Sequence, residues 1–369
     1  MKTYKLKLTA LTPLHIGTGE DYEPTNFVID NGYLYEFDEY TFFEKLDNVQ
    51  KQRFLKAVET KGAESLFEIH RVIKQNKKQA IESATSKVQV TKGLERDYEN
   101  KVGKAVQNEG GRRVQPTKVF NRFQIAKTIR GANTKKVYIP GSSIKGAIST
   151  AYQEVIYKEN PTHHREYFQN RKPQENIFKN LLISDTIPVK TFSMVGYALN
   201  KERFEEDQLG PSNKLETIFS NSQFEITLGI RNYKAPQNVN FELIKKSCDA
   251  HYLPLFQQIF KPFTTFRGKK VDDFTNEYFD EAFYEKYKDF TPKENQFLIR
   301  VGKHSGARAV TIDGMRKIKV KVSGGGRRRK PNKWETLDQE TTTWMFGGSE
   351  KALNTLLPFG WVLCEIQDK

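Results

Sequence analysis

Cysteine is almost absent from this chain: two occur in 369 residues, Cys248 and Cys364, far apart and in no C-x-x-C pair. That excludes a disulfide framework and a thiolate zinc site. No apolar run reaches the ~18 residues that span a bilayer. The first residues, MKTYKLKLTALTPLHIG, lack the long apolar core of a signal peptide. A cytoplasmic chain without a membrane partner is the expectation. Clustered carboxylates, which a metal-dependent nuclease needs, are also missing. Asp185 in ISDT stands alone and reads as a turn or cap residue. His163 and His164 are adjacent and would point apart on an extended chain, so no two-histidine metal site follows. Neither a metal nor another cofactor is expected.

Acid is scarce relative to base. Sixty Lys and Arg face 45 Asp and Glu, a net charge of +15 with pI ≈ 9.4. A polyanion is the partner this implies, most often nucleic acid. The charge is clustered. Residues 87–136 hold thirteen bases against four acids, and residues 316–333 hold nine bases and no acid around Gly324-Gly325-Gly326. The first segment reads either as a solvated insertion or as a loop that orders on nucleic acid, and the clustering favours the loop. Hydrophobic residues make up only 37% and mean hydropathy is -0.69, as long polar insertions between folded parts would produce. Aromatics reach 12%, too many for a disordered chain.

Periodicity places the elements. Tyr4, Leu6, Leu8 and Ala10 alternate with polar residues, a half-buried strand. It ends in TPLHIGTGEDYEP, which reads as a loop. NFVIDNGYLYEF is a hairpin around Asn31-Gly32. Phe42, Phe43, Leu46, Val49, Phe54, Leu55 and Val58 recur near helical spacing within a stretch of roughly 39–81. KKVYIP predicts a strand and GSSIKGAISTAYQEVIY a helix. Further strands are expected in IFKNLLISDTIPV, TFSMVGYAL and FEITLGI, and helices in FELIKKSCDAHYLPLFQQIF and within 271–290. QFLIRVGKHSGARAVTI reads as strand, Gly-rich loop, then strand or helix, and LPFGWVLCEI as a closing strand. Strands and helices mix without strict alternation, so the fold class is α+β.

The stretch IPGSSIKGAI raises the question of whose phosphate it holds. A P-loop requires G-x-x-x-x-G-K-[ST]. Here Lys145 precedes Gly146 and the loop is too short, which excludes an NTPase of that type. Pro140-Gly141 still breaks a strand and lets backbone approach a ligand. Ser142 or Ser143 can cap the helix that follows, and its N-terminus favours an anion. The other reading is an ordinary cap beside an exposed lysine.

LTPLHIGTG, IPGSSIKGAI, LLISDT, RVGKHSGA and LPFGWVL, in that order, resemble the RAMP superfamily of CRISPR RNA-binding proteins. More closely, they resemble the subunits that cap the crRNA 3′ end in type III-A (Csm) effector complexes. The resemblance implies two ferredoxin-like, RRM-related domains with large basic insertions. Residues 1–190, carrying a helical and basic insertion at about 39–136, would form one, and residues 191–369 the other. It implies a non-catalytic role: holding the 3′ part of the guide RNA and supporting its maturation by recruited nucleases. The partners would be crRNA, the repeated backbone RAMP subunits and the small subunit. The RNA contacts it implies are His15, Gly17 and Gly19; Gly141, Ser142, Ser143, Lys145 and Gly146; and Gly302, Lys303, His304, Ser305 and Gly306. The basic segments add Arg130 and Arg327, Arg328 and Arg329. Backbone amides, hydroxyls and lysines suit a protein that must hold any guide sequence. The alternative is a metal-independent CRISPR endoribonuclease, with His15 as general acid or base and Lys145 beside it. His15 and His304 read equally as structural or RNA-stacking residues.

Overall fold

The strand Lys2–Ala10 (β1) buries Leu6, Leu8 and Ala10 and turns Lys7 and Thr9 between them away from the core, as its alternation requires. A computed structural model describes residues 1–60, 63–102, 108–109, 112–113, 123–165, 168, 177–202, 209–231, 239–260, 278–322, 333–337, 340 and 342–367. In it β1 is hydrogen-bonded antiparallel on both edges, to Gln223–Ile230 (β13) and Trp361–Ile366 (β19). The sheet continues outward from β13 to Ile187–Lys190 (β10), with Leu181–Ile183 (β9) beside it, and from β19 to Gln296–Arg300 (β14). Two long helices cover it. Gly141–Glu159 (α6) packs on Phe241–Ile259 (α8), and α8 packs on β14. Taken along the chain, this layer reads strand, helix, three strands, helix, two strands.

The segments between these elements build a second sheet. Among the described residues its order is Gly17–Tyr22 (β2), Ile125–Thr128 (β8), Leu209–Ile218 (β12), Ser193–Glu202 (β11), Ala84–Val90 (β5), Tyr33–Phe37 (β4) and Phe27–Asp30 (β3). Thr342–Gly347 (β17) joins the free part of β11 and pairs in turn with Leu357–Pro358 (β18). Both sheets draw strands from either side of residue 190, so the two halves of the chain are interleaved. Short hairpins stand apart: Asn108–Glu109 (β6) with Arg112–Arg113 (β7), and Ile318–Val322 (β15) with Lys333–Leu337 (β16).

Mixed helices and sheets agree with the α+β expectation. The Asn31-Gly32 hairpin forms with φ of 49° and 79°, the pair of positive values that a tight strand reversal needs. The stretch 39–81 is helical, as Glu39–Glu44 (α1), Asn48–Glu59 (α2), Ala63–Gln75 (α3) and Lys77–Glu82 (α4). Asp47 opens α2 with a capping box to Gln50. Phe42 and Leu46 are core residues there, whereas Val49, Leu55 and Val58 face solvent, because the supposed single stripe belongs to two helices.

Several expectations are corrected. GTGEDY is not loop but β2, stabilised by pairing with β8 across the sequence. KKVYIP is not a strand; Val137 makes one isolated bridge to Arg130. The described parts of 87–136 are not a free loop. They include β5, Lys92–Lys101 (α5) and β8, with Lys101 paired to Glu350 and Lys127 to Glu36. After β14 the chain runs through turns rather than another strand or helix until β15. Within 271–290 the helix is Glu281–Tyr287 (α9), and 271–277 lie outside the described residues. Among the described residues no helix is long and apolar enough to cross a membrane.

A buried hydrogen bond ties α6 to α8. Glu154 accepts from His251 Nδ1 at 2.9 Å, from Lys158 at 2.8 Å and from the Asp313 amide at 2.9 Å. Burial pushes the Glu154 carboxyl up, but the His251 ring, Lys158 and that amide overcome it and bring it down to about 2. A carboxyl below its ordinary value stabilises the fold above that ordinary value. The contribution is lost as pH falls from about 4.5 through about 2. Glu154→Ala is expected to cost about 3 kcal/mol at neutral pH in urea denaturation, because His251 is left buried without its partner. The variant should also lack this part of the acid sensitivity.

Candidate nucleic-acid interface

Two loops far apart in sequence meet at His15. The chain leaves β1 through Leu14, which bridges to Ile218, and His15 then pairs with Lys303. The Lys303 amide donates to the His15 carbonyl at 2.8 Å. Gly302 has φ of 89°, and a Cβ there would lie 2.7 Å from the His15 carbonyl oxygen, so only glycine permits the approach. A Cβ on Gly17 would lie 3.1 Å from His15 Nε2. Gly19, also at positive φ, has open space around it.

The residues of these loops are used unequally. His15 is 1% exposed, and its Nδ1 donates to the Glu216 carbonyl at 2.7 Å. Burial, then Lys303, lowers its pKa and keeps the ring neutral. His304 lies against Trp344, with ring centroids 4.3 Å apart, and against Phe359 at 5.3 Å. Burial, aided by Lys303 and His15, takes its imidazole down to about 3. Ser305 is buried and donates to the Gly302 carbonyl at 2.7 Å. Gly306 is half-buried at φ of 80°. Lys303 alone of this loop is exposed.

Beneath the His15 loop lies Glu216, with no exposed surface. It forms an ion pair with Arg130 and accepts from Tyr22 Oη at 3.1 Å and the Thr128 amide at 3.2 Å. Burial pushes the Glu216 carboxyl up, while Arg130 and the two neutral donors draw it back. Desolvation weakens the charged form of Arg130, and Glu216 more than restores it. Arg130 also donates to Ser193 Oγ at 3.0 Å and the Lys135 carbonyl at 2.8 Å. Arg130 is therefore a structural cation, which corrects its expected role as a free RNA contact. Sequence reasoning missed Glu216 because LGPSNKLETI was not read as a strand. A lone acid between Leu215 and Ile218 was the available signal.

Beside this pair opens a groove of about 240 Å³, lined among others by Thr18, Ser86, Lys127, Arg130 and Lys135 and by the carboxylates Glu20 and Glu36. Lys127 and Arg130 are held by Glu36 and Glu216, while the hydroxyls and the exposed Lys135 suit a sugar–phosphate chain.

The central loop behaves differently from its expectation. The N-cap of α6 is Pro140, and neither Ser142 nor Ser143 caps it. The Gly141 amide instead donates to Asp185 Oδ1 at 2.8 Å, so the chain's own carboxylate takes the helix N-terminus. A Cβ on Gly141 would lie 2.5 Å from the carbonyl oxygens of Ile183 and Ser184. Lys145 donates to the Leu181 carbonyl at 2.8 Å, and burial lowers its pKa. Ser142 and Gly146 are exposed and Ser143 half-buried. Just before the loop, Val137 bridges to Arg130, and the Ile139 amide donates to Thr186 Oγ1 at 2.8 Å. Arg327, Arg328 and Arg329 lie outside the described residues.

The description of the RAMP superfamily matches residues 7–301. This chain belongs to the RAMP superfamily. A relative from Streptococcus thermophilus, described as CRISPR system Cms protein Csm5, is 31% identical over 182 residues. That match covers 49% of this chain and 45% of the relative, so it spans about half the length of each. A protein of the same description from Methanocaldococcus jannaschii is 23% identical over 98% of this chain and 88% of its own length. A chain in a Csm–crRNA–target RNA ternary complex of a type III-A CRISPR-Cas system shares the fold, with TM-score 0.59 and 16% identity over 99% of this chain and 100% of that one. The crystal structure of T. onnurineus Csm5 superposes with TM-score 0.51 and 16% identity, over 96% of this chain and 99% of that one.

Arg130→Ala and Glu216→Ala are each expected to destabilise this RAMP protein by about 3 kcal/mol, since each leaves a buried charge unpaired. The double variant should lose less than the two losses combined. Chemical denaturation of all four proteins closes the cycle, and strictly additive losses would show that the pair is not coupled.

Proposed function

We propose that this RAMP protein is a non-catalytic crRNA-binding subunit on the 3′-end side of a type III-A Csm effector complex. What carries the reading is the His15–Lys303 bridge, which joins two loops that the RAMP resemblance assigns to RNA. The names of the two curated relatives and the complex containing the structural neighbour support placing it in a Csm assembly. The strand order β10-β13-β1-β19-β14 with α6 and α8 supports one ferredoxin-like unit. The second sheet would be the other unit, interleaved with the first rather than divided from it at residue 190.

In this role Lys303, Lys135 of the groove and the exposed Ser142 and Gly146 hold the RNA backbone. Contacts of that kind bind any guide sequence, leaving target reading to base pairing. The neighbours are the backbone RAMP subunits and the small subunit. Recruited cytoplasmic nucleases trim the RNA end that this chain holds.

The burial of His15 and the packing of His304 against Trp344 and Phe359 speak against the endoribonuclease reading. A general base must reach the proton it removes. His15 is enclosed and already donates to a carbonyl.

Labelled guide RNA mixed with the purified chain should remain intact. Its affinity should fall about tenfold or more between roughly 50 and 200 mM salt, as counterion release requires. Lys303→Glu should weaken binding by about a further tenfold. Cut RNA, with cutting lost in His15→Ala, would overturn the non-catalytic reading.

A further inference from the structure

The β15–β16 ribbon carries a surface that the His15–Lys303 neighbourhood does not include. Its register pairs Ile318 with Leu337, Lys319 with Thr336, Val320 with Glu335 and Lys321 with Trp334. Directly paired residues share a face, and successive residues alternate between faces. One face therefore holds Ile318, Glu335 and Leu337, and these are half-buried. The other holds Lys319, Thr336 and Trp334, and these are exposed. Trp334 is 63% exposed, whereas Trp361 has no exposed surface and Trp344 is half-buried.

A two-stranded ribbon is barely stable alone and needs one face covered. Here the covered face is the apolar one, so the indole on the other face contributes nothing to that packing. It stands beside Lys319, in a segment that has nine bases and no acid between residues 316 and 333. The nearby acid Glu335 belongs to the opposite face. An exposed indole on the same ribbon face as the exposed Lys319 matches an unpaired base and its phosphate. Bases of every kind stack on indole, and cations hold the backbone. A duplex keeps its bases inside the stack, and an acidic peptide has no flat ring to offer.

We propose that this ribbon is a second nucleic-acid contact, in which an unpaired base of a single strand stacks on Trp334 and Lys319 holds an adjacent phosphate. This rests on the reading that the chain holds RNA. Three tryptophans occur in the sequence, so the exposed one reports on the contact directly.

The test titrates the full chain with an oligouridylate of roughly 12 nucleotides, a duplex of the same length and polyglutamate, following tryptophan emission and affinity. The oligouridylate should quench the wild-type emission. Trp334→Phe should lose most of that quench while keeping affinity within about threefold, and Trp334→Ala should weaken binding about tenfold. Lys303→Glu should weaken binding yet keep the quench at saturation. Trp334 is a surface residue, and an unchanged melting temperature in its variants confirms folding. Unaltered affinity in Trp334→Ala would overturn the ribbon contact and leave RNA binding standing. Equal quenching by duplex or polyglutamate would overturn stacking and mark a surface for any polyanion. Absence of binding by the wild type would overturn both readings.

Discussion

The carboxylate of Glu216, enclosed on every side, sets the geometry around it. Removing a charge from water costs several kcal/mol unless partners replace the lost solvent. Arg130, Tyr22 and the Thr128 amide do so from the β2–β8 side, while the carbonyl of the same residue holds His15. One residue of β12 thereby fixes β2, β8 and the loop after β1. Lys303 then takes its place from His15. The position of an exposed cation on one loop thus follows from a buried anion on a distant strand.

The same physics explains why the most phosphate-like motif is not an open cradle. A helix N-terminus attracts an anion, and in α6 the Asp185 carboxylate supplies one at the Gly141 amide. Gly141 is required there because the chain around Ile183 and Ser184 passes too close for a Cβ. Lys145, bound to the Leu181 carbonyl, joins the same contact between helix and sheet. The motif holds the central helix against β9. The surface left for a ligand is narrower, consisting of Ser142 and Gly146.

Basic charge in this RAMP protein divides into two kinds. Arg130 and Lys127 hold carboxylates that the sheets bring beside them, and Lys101 holds Glu350 across the fold. Lys303 and Lys319 extend into solvent instead. The first kind stabilises the fold, and the second is available to a polyanion. Net charge alone does not distinguish them.

Local pattern determined much of this protein. The alternation of β1, the Asn31-Gly32 turn, the helices α1–α4 and the long helices α6 and α8 were legible because period and turn chemistry act over a few residues. The order of five motifs carried the family resemblance, and the two loops at His15 and Lys303 were both legible as candidates. Their meeting was not, since it depends on antiparallel pairing across nearly three hundred positions. The strands β2, β12 and β17 were invisible for a related reason. GTGEDY has little strand character of its own and is held by β8 from elsewhere in the chain, and LGPSNKLETI is held by the preceding strand β11 and by β8. Only the tertiary structure decided which cations are free, because a lysine or arginine looks the same in sequence whether or not a distant strand delivers its carboxylate.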